Sequence, residues 1–218
     1  MVNGLGELDQ TNADAIMQWL SANGALYWTY TVMRMIGRVA FPIFCFLLVE
    51  GFLHTHDVKK YAMRLGLFAL LSEIPFDLAF SSKILEFNYQ NVFFTLFIGL
   101  LTMIAYRAVE EKEEWNQALK VILYILIVAA GMALAYFLKT DYAEKGVFCI
   151  MVLYIFRKKK MWQIIAGCAS FIWETPALFG FIPIAFYNGT RGWKMKYFFY
   201  IFYPAHLLLL AVIRYAIL

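Results

Sequence analysis

Charge is scarce in this sequence. Only 16% of its 218 residues are Asp, Glu, Lys or Arg, against roughly a quarter in a soluble domain. That shortage excludes an ordinary water-soluble fold. The net charge of +4 comes from lysines and arginines flanking apolar runs. No basic stripe with interleaved aromatics is present, which excludes a nucleic-acid surface. Cysteine is also rare. Cys45, Cys149 and Cys168 are odd in number, far apart and each inside an apolar run. They form no disulfide framework or zinc motif and read as small core residues. The first residues, MVNGLGELDQTNADAIMQWL, lack the basic n-region and continuous apolar core of a secretory signal. Walker loop, dinucleotide fingerprint, GxSxG elbow and HExxH are all missing.

What is abundant is apolar surface. The chain is 63% hydrophobic and 19% aromatic, with a mean hydropathy of +0.66. It reads as an all-α, polytopic membrane bundle in one domain spanning 1–218. Eight candidate spans follow from hydropathy, roughly 29–53, 61–80, 91–107, 118–138, 146–156, 161–175, 177–188 and 197–217. The fifth and seventh are short. Pro176, Gly180 and Pro183 interrupt the seventh, as in a re-entrant or broken helix. Residues 11–24 fit a short interfacial helix, with Thr11 or Asn12 as its cap and Ala15, Ile16 and Leu20 on one face.

Basic residues orient the spans. One set of alternate loops holds Lys59, Lys60, Arg107, Lys112, the RKKK run at 157–160, Arg191, Lys194 and Lys196; the other holds only Lys83, Lys139 and Lys145. The first set is therefore assigned to the cytoplasm, and lipid is the chain's constant partner. This orientation leaves residues 1–28 outside with no signal to export them. It creates an expectation of one further helix before Met1, against the alternative that a short polar N-terminus crosses unaided.

Several charges fall inside the apolar runs. Arg34 and Arg38 are four apart in the outer half of the first span; Glu73 and Asp77 are four apart in the outer half of the second; Gln90 and Asn91 open the third at that level. A charge at bilayer depth costs several kcal/mol unless paired or wetted, roughly 3 kcal/mol on insertion scales. Arginine–carboxylate forks are the expected pairing. Two readings remain open: ion pairs that lock the bundle, and a polar cavity receiving a substrate from outside. Glu50 and His54 form a further pair at the inner end of the first span, suited to a proton or metal or simply marking the exit into headgroups.

His206 lies mid-span in the last helix, between Pro204 and four leucines, with Tyr203 one turn before it. Its near-neutral pKa class suits proton transfer. A core histidine bonded to a neighbouring helix is the alternative. The RKKK run marks topology and would also suit a diphosphate such as that of coenzyme A.

Four blocks in order, RMIGRVAFPIFCFLLVEGFLHT, LFALLSEIPFDLAF, QNVFFTLFIGLL and YPAHLLLL, resemble the TraX family, the F-pilin acetylases, from about residue 25 to the C-terminus. The resemblance implies a multi-pass protein of the bacterial inner membrane. By similarity to the wider transmembrane acyltransferases, it also implies acetyl transfer from acetyl-CoA to an amine of a pilin-like peptide or other cell-envelope acceptor. On that reading His206 is the base or proton relay, while Arg34 and Arg38 stabilise an oxyanion or hold an acceptor carboxylate. Glu73 and Asp77 bind the amine or orient the arginines, and Glu50, Gln90, Asn91 and Tyr203 complete the binding surface. Family members usually begin with an apolar helix carrying an Asp-His pair. This sequence has none, which reinforces the expectation of a shortened N-terminus and puts activity of the chain as given in doubt. Two other classes stay open. A proton-coupled transporter would show inverted repeats, and none is visible. A non-catalytic envelope-assembly protein would tolerate neutralising the charges.

Overall fold

Long apolar runs in lipid leave the backbone one local way to satisfy its own hydrogen bonds, the α-helix. The computed structural model describes residues 13–80, 86–190 and 198–217. Among them the elements are α1 (Ala13–His54), α2 (Val58–Phe80), α3 (Val92–Glu110), α4 (Gln117–Phe137), α5 (Ala143–Ile155), α6 (Lys160–Ser170), a 3₁₀ turn (Thr175–Gly180), α7 (Phe181–Phe186) and α8 (Phe198–Ile217). Each of the eight expected segments contains a helix among the described residues, although the sixth ends early at Ser170 and the seventh is a 3₁₀ turn followed by α7. Polar side chains set several starts. Asp57 accepts from the Lys60 N–H at 2.9 Å before α2, Asn91 caps α3 through the Phe93 N–H, and Asn116 caps α4 through the Ala118 N–H.

Two boundaries differ from expectation. The interfacial helix and first span are one element, joined across a kink at Asn23, which leaves helical geometry at φ −121° and ψ 16°. Thr11 and Asn12 lie outside the described residues, as do Lys83, Arg191, Lys194 and Lys196. The late segments are also shorter than a bilayer core. α5, α6 and α7 have 13, 11 and 6 residues, or roughly 20, 16 and 9 Å of rise. Asn23–His54, α3 and α4 are long and apolar enough to cross alone. α2 has the length but carries Lys59, Lys60, Arg64, Glu73 and Asp77.

The loop alternation expected from charge is present in the bundle. At one end, Gln90 N–H donates to the Lys139 carbonyl at 3.0 Å and Asp141 N–H to the Gln90 carbonyl at 2.9 Å, tying the loop before α3 to the α4–α5 turn. At the other end, Arg157 forks onto Glu110 at 2.6 and 2.8 Å, Arg107 lies over the Phe52 ring, and Lys160 reaches the Tyr187 carbonyl. The second end gathers the lysine- and arginine-rich loops; by the loop-charge argument the first end is called outer and the second inner.

α3 runs through the middle, against α1, α2, α4 and α5. Leu100, Met103, Ile150, Leu153 and Val49 are fully buried around it. The periphery is inverted relative to a soluble protein. α4 buries only Gly131 and Ala135, while Ile122, Ile125 and Leu126 are more than half exposed. Apolar belts of this extent are stable in hydrocarbon, and the chain is an all-α membrane bundle.

Close approach holds the short late elements onto α1. A Cβ on Gly180 would stand 2.6 Å from Pro42 Cγ and 2.7 Å from the Val39 carbonyl oxygen. Neither a ring nor backbone moves aside easily. Gly180→Ala is therefore expected to destabilise the fold by about 1–3 kcal/mol, the usual range for overpacking. Thermal unfolding in detergent checks this; an unchanged midpoint would mean that α1 and the turn are not pressed together.

Candidate functional site

A cleft of about 540 Å³ separates α1 from α8 and α2, with α3 as its floor. Gly37, Ala40, Phe41, Phe44, Leu47 and Leu48 form one wall. Tyr61, Leu65, Phe76 and Phe80 of α2 and Tyr200 to Leu207 of α8 supply the other. Small residues at 37 and 40 leave room where larger ones would fill it. Gly37 to Leu48 spans roughly 16 Å along α1 at 1.5 Å per residue. The lining is aliphatic and aromatic except for a few polar groups, chiefly His206, Tyr203, Asp141 and Tyr142.

His206 is set by its own helix. Its Nδ1 lies 3.0 Å from the Phe202 carbonyl oxygen. A carbonyl only accepts, so Nδ1 carries a proton, which leaves Nε2 as the acceptor in the neutral form of the ring. The Phe202 ring stacks on the imidazole at 5.1 Å and Tyr203 meets it edge-on at 5.5 Å. Both sequence-predicted residues, His206 and Tyr203, thus line one cavity.

Asp141 lies at the outer end of the same cleft; in the sequence it stands in the outer loop DYAEKG, four residues before Lys145, a minor signal with no role attached. The turn that carries it is unusual. Lys139, Tyr142 and Ala143 all have positive φ, at 53°, 63° and 40°. Each such non-glycine residue costs of order 1–3 kcal/mol and needs surrounding structure to hold it. Here the Gln90 bridge supplies that hold, together with Thr95, whose hydroxyl donates to the Asp141 carbonyl. The Tyr89 hydroxyl donates to Asp141 Oδ1 at 2.5 Å. Burial pushes the Asp141 carboxyl above its ordinary value, and the Tyr89 hydrogen bond only partly opposes this. Tyr203 stands within electrostatic reach of both Asp141 and Glu73.

The acids of α2 meet amides and backbone, not guanidinium groups. Asn91 Nδ2 donates to Glu73 and, at 2.8 Å, to the Ala69 carbonyl; the Asn91 N–H also points at Glu73 Oε2, at 3.3 Å. Asp77 accepts from the Glu86 N–H at 2.7 Å. The opposite oxygens, Glu73 Oε1 and Asp77 Oδ1, are buried without a hydrogen-bond partner among the described residues. Asn91 works as a helix cap and cross-link. Gln90 is bound to the Phe87 carbonyl through Nε2 at 2.8 Å and bridges the loops through its backbone.

The expected forks between the first two spans are therefore absent among the described residues. Arg38 pairs instead with Glu174, in the turn before the 3₁₀ segment. Arg34 takes its hydrogen bond from the Tyr30 hydroxyl oxygen, donating at 2.9 Å, with its guanidinium 5.6 Å from that ring. The physical reason is azimuth. Equal depth was legible in sequence, but the cleft lies between the α1 wall and the acids on α2. Glu50 is likewise apart from the cleft lining. It sits at the inner end, 3.8 Å from His54, whose Nδ1 lies 2.9 Å from the Glu50 carbonyl oxygen. A second pocket of about 410 Å³ at the inner end is lined by Ile155, Phe156, Lys158, Lys159 and Trp162. It shares no lining residue with the cleft.

This pairing has a measurable consequence. Arg38→Gln and Glu174→Gln are each expected to cost about 1–3 kcal/mol, the range for hydrogen bonds to charged groups. Because Arg38 is 39% exposed, the lower part of that range is expected. Their double-mutant cycle is expected to show coupling of at least roughly 0.5 kcal/mol, whereas Arg38→Gln with Asp77→Asn adds without coupling. The reverse pattern in detergent unfolding would restore the α1–α2 ion pair.

Comparison with known proteins places the chain. The family described as TraX protein matches residues 16–214. The chain is 27% identical over 208 residues to the "Probable fimbrial assembly protein FimC, serogroup H1" of Dichelobacter nodosus, covering 84% of this chain and 83% of that protein. No solved structure matches. With the match running over nearly its whole length, the chain belongs to the TraX family.

Proposed function

We propose that this protein is a multi-pass acyltransferase of the bacterial inner membrane. It moves an acetyl group from acetyl-CoA to an amine on a pilin-like peptide or another cell-envelope molecule. The observation that carries this reading is His206, whose Nδ1 is turned onto the Phe202 carbonyl while the ring lines an apolar cleft. Family membership and the fimbrial-assembly relative support the same direction.

The residues have distinct tasks in this chemistry. An amine attacking an acyl carbon must lose a proton, and His206 Nε2 is the acceptor within the cleft. The Phe202 carbonyl fixes the tautomer that keeps Nε2 basic, and the Phe202 and Tyr203 rings fix its tilt. The apolar walls exclude water, which competes with the amine for the acyl group. Acetyl-CoA supplies a thioester, whose C–S bond breaks as the new C–N bond forms, with the amine proton finally balancing the thiolate. By chemistry the inner pocket fits its diphosphate and purine. Lys158 and Lys159 offer ammonium groups and Trp162 a ring to stack on. Arg38, held by Glu174, positions the outer end of α1 and is assigned no step.

The test uses purified protein in nanodiscs, with labelled acetyl-CoA and an amine acceptor. His206→Ala is expected to lower turnover by about 10²–10⁴, the usual worth of a general base, while leaving acetyl-CoA binding unchanged. Undiminished turnover would remove His206 from the mechanism. Solute uptake into liposomes with no acyl transfer would move the protein to the carrier class.

A further inference from the structure

The cleft has a size, a charge and a direction of entry, and together they narrow its occupant. The cleft, about 540 Å³ and lined mostly by aliphatic and aromatic side chains along roughly 16 Å of α1, suits an alkyl chain. Entry is from the side. Phe44, Leu47, Phe80 and Phe202 line the cleft and are 39%, 43%, 64% and 54% exposed, so its rim is apolar and faces hydrocarbon.

Charge decides the head. The outer end carries Asp141 in the lining, with Glu73 within reach of the same Tyr203 and Asp77 one turn further along α2. Among the described residues, the nearby cations are occupied elsewhere. Arg38 pairs with Glu174, Arg34 bonds Tyr30, Lys139 bonds Asn88, and Lys145 sits 4.9 Å over the Trp173 ring. Among the described residues no arginine or lysine forms an ion pair with Asp141. A half-buried carboxyl that lacks a cationic partner among the described residues favours a ligand that brings one. The Gln90 bridge and the left-handed turn hold Asp141 in place beforehand.

We propose that the cleft seats the alkyl chain of an amine-headed lipid entering sideways from the bilayer, with its ammonium on Asp141. This rests on the acyl-transfer reading and names the acceptor class for it. The hydrocarbon chain lies along the α1 wall between Gly37 and Leu48, and the nitrogen sits at the outer end of a cleft that also contains His206. Asp141 is then the residue that selects an amine over a neutral or anionic head.

Photo-crosslinking tests this without any turnover. The full chain in nanodiscs is exposed to a twelve-carbon primary amine carrying a diazirine in mid-chain, and to the same probe with its amine acetylated. The amine probe is expected to label cleft residues such as Phe44, Leu96 and Leu207, about tenfold more than the acetylated one, the difference made by a charged hydrogen bond. Asp141→Asn, which keeps an acceptor for Tyr89, is expected to reduce amine labelling to the level of the acetylated probe. Ala40→Phe, which fills the α1 wall and leaves Asp141 alone, is expected to abolish labelling by both. Equal labelling by the two probes in the parent protein would overturn the proposal, as would labelling outside the cleft. Displacement of the amine probe by a pilin-like peptide with a free N-terminus, but not by phosphatidylethanolamine, would also overturn it in favour of a polypeptide. Labelling that follows the expected pattern in a protein with no acyl-transfer activity would sink the enzymatic reading and keep this one.

Discussion

Asn91 is the point on which the outer half of the bundle is fixed. It is fully buried, and its side chain does three things at once. The amide oxygen caps α3, while the amide nitrogen reaches the Ala69 carbonyl and the Glu73 carboxylate on α2. The residue before it, Gln90, bonds through its backbone to Lys139 and Asp141. Two adjacent polar residues thus pin α2, α3 and the α4–α5 turn together in a medium with no water to take over their hydrogen bonds. Breaking such a network would leave several buried groups unsatisfied together, which is why it acts as a unit. The floor of the cleft and the place of Asp141 follow from it.

Much of this was legible in the sequence, for a reason that also sets its limit. Hydropathy reports where a helix lies along the membrane normal, so the eight segments, their alternation and the level of Glu73, Asp77, Gln90 and Asn91 could be read directly. It does not report the direction in which each helix faces. Arg38 and Asp77 share a depth and sit on different sides of a cleft, while Glu174, far along the chain, turns toward Arg38. Asp141 was harder still. Its importance rests on three left-handed backbone positions without glycine and on a bridge to Gln90, and neither leaves a compositional mark. His206 and Tyr203 were readable because a histidine amid leucines is conspicuous on its own.

The two ends of the molecule differ in the sign of their unpaired charge. At the inner end Lys158 and Lys159 line an open pocket, and the acids there are mostly spoken for: Glu110 by Arg157 and Glu111 by Arg107. Among the described residues, the basic groups at the outer end are engaged and the carboxyls of Asp141, Glu73 and Asp77 have none of them as ion-pair partners. An anionic donor entering from the cytoplasm and a cationic acceptor meeting the outer end are the natural complements of this asymmetry on the proposed chemistry. Loop lysines thus have two consequences from one cause, orientation in the membrane and an anion-favouring inner face.

The cleft stays open because of how packing is divided and because of the solvent. α1 packs on α5, the 3₁₀ turn and α3, whereas α8 packs on α2. Among the described residues no extensive contact joins α1 to α8. In water such a gap would close, since bringing Phe44 and Leu47 against Phe202 removes apolar area at about 25 cal/mol per Å². In hydrocarbon that drive vanishes, because a lipid tail is as apolar as the side chain it would replace. Closure would then have to be driven by packing or polar contacts, and the facing wall offers Gly37 and Ala40, which supply little of either. A seam lined with small and aromatic residues therefore persists at little cost, filled by whatever chains the bilayer presents. Selectivity must come from its polar groups, and among those Asp141 carries the one acidic side chain in the lining.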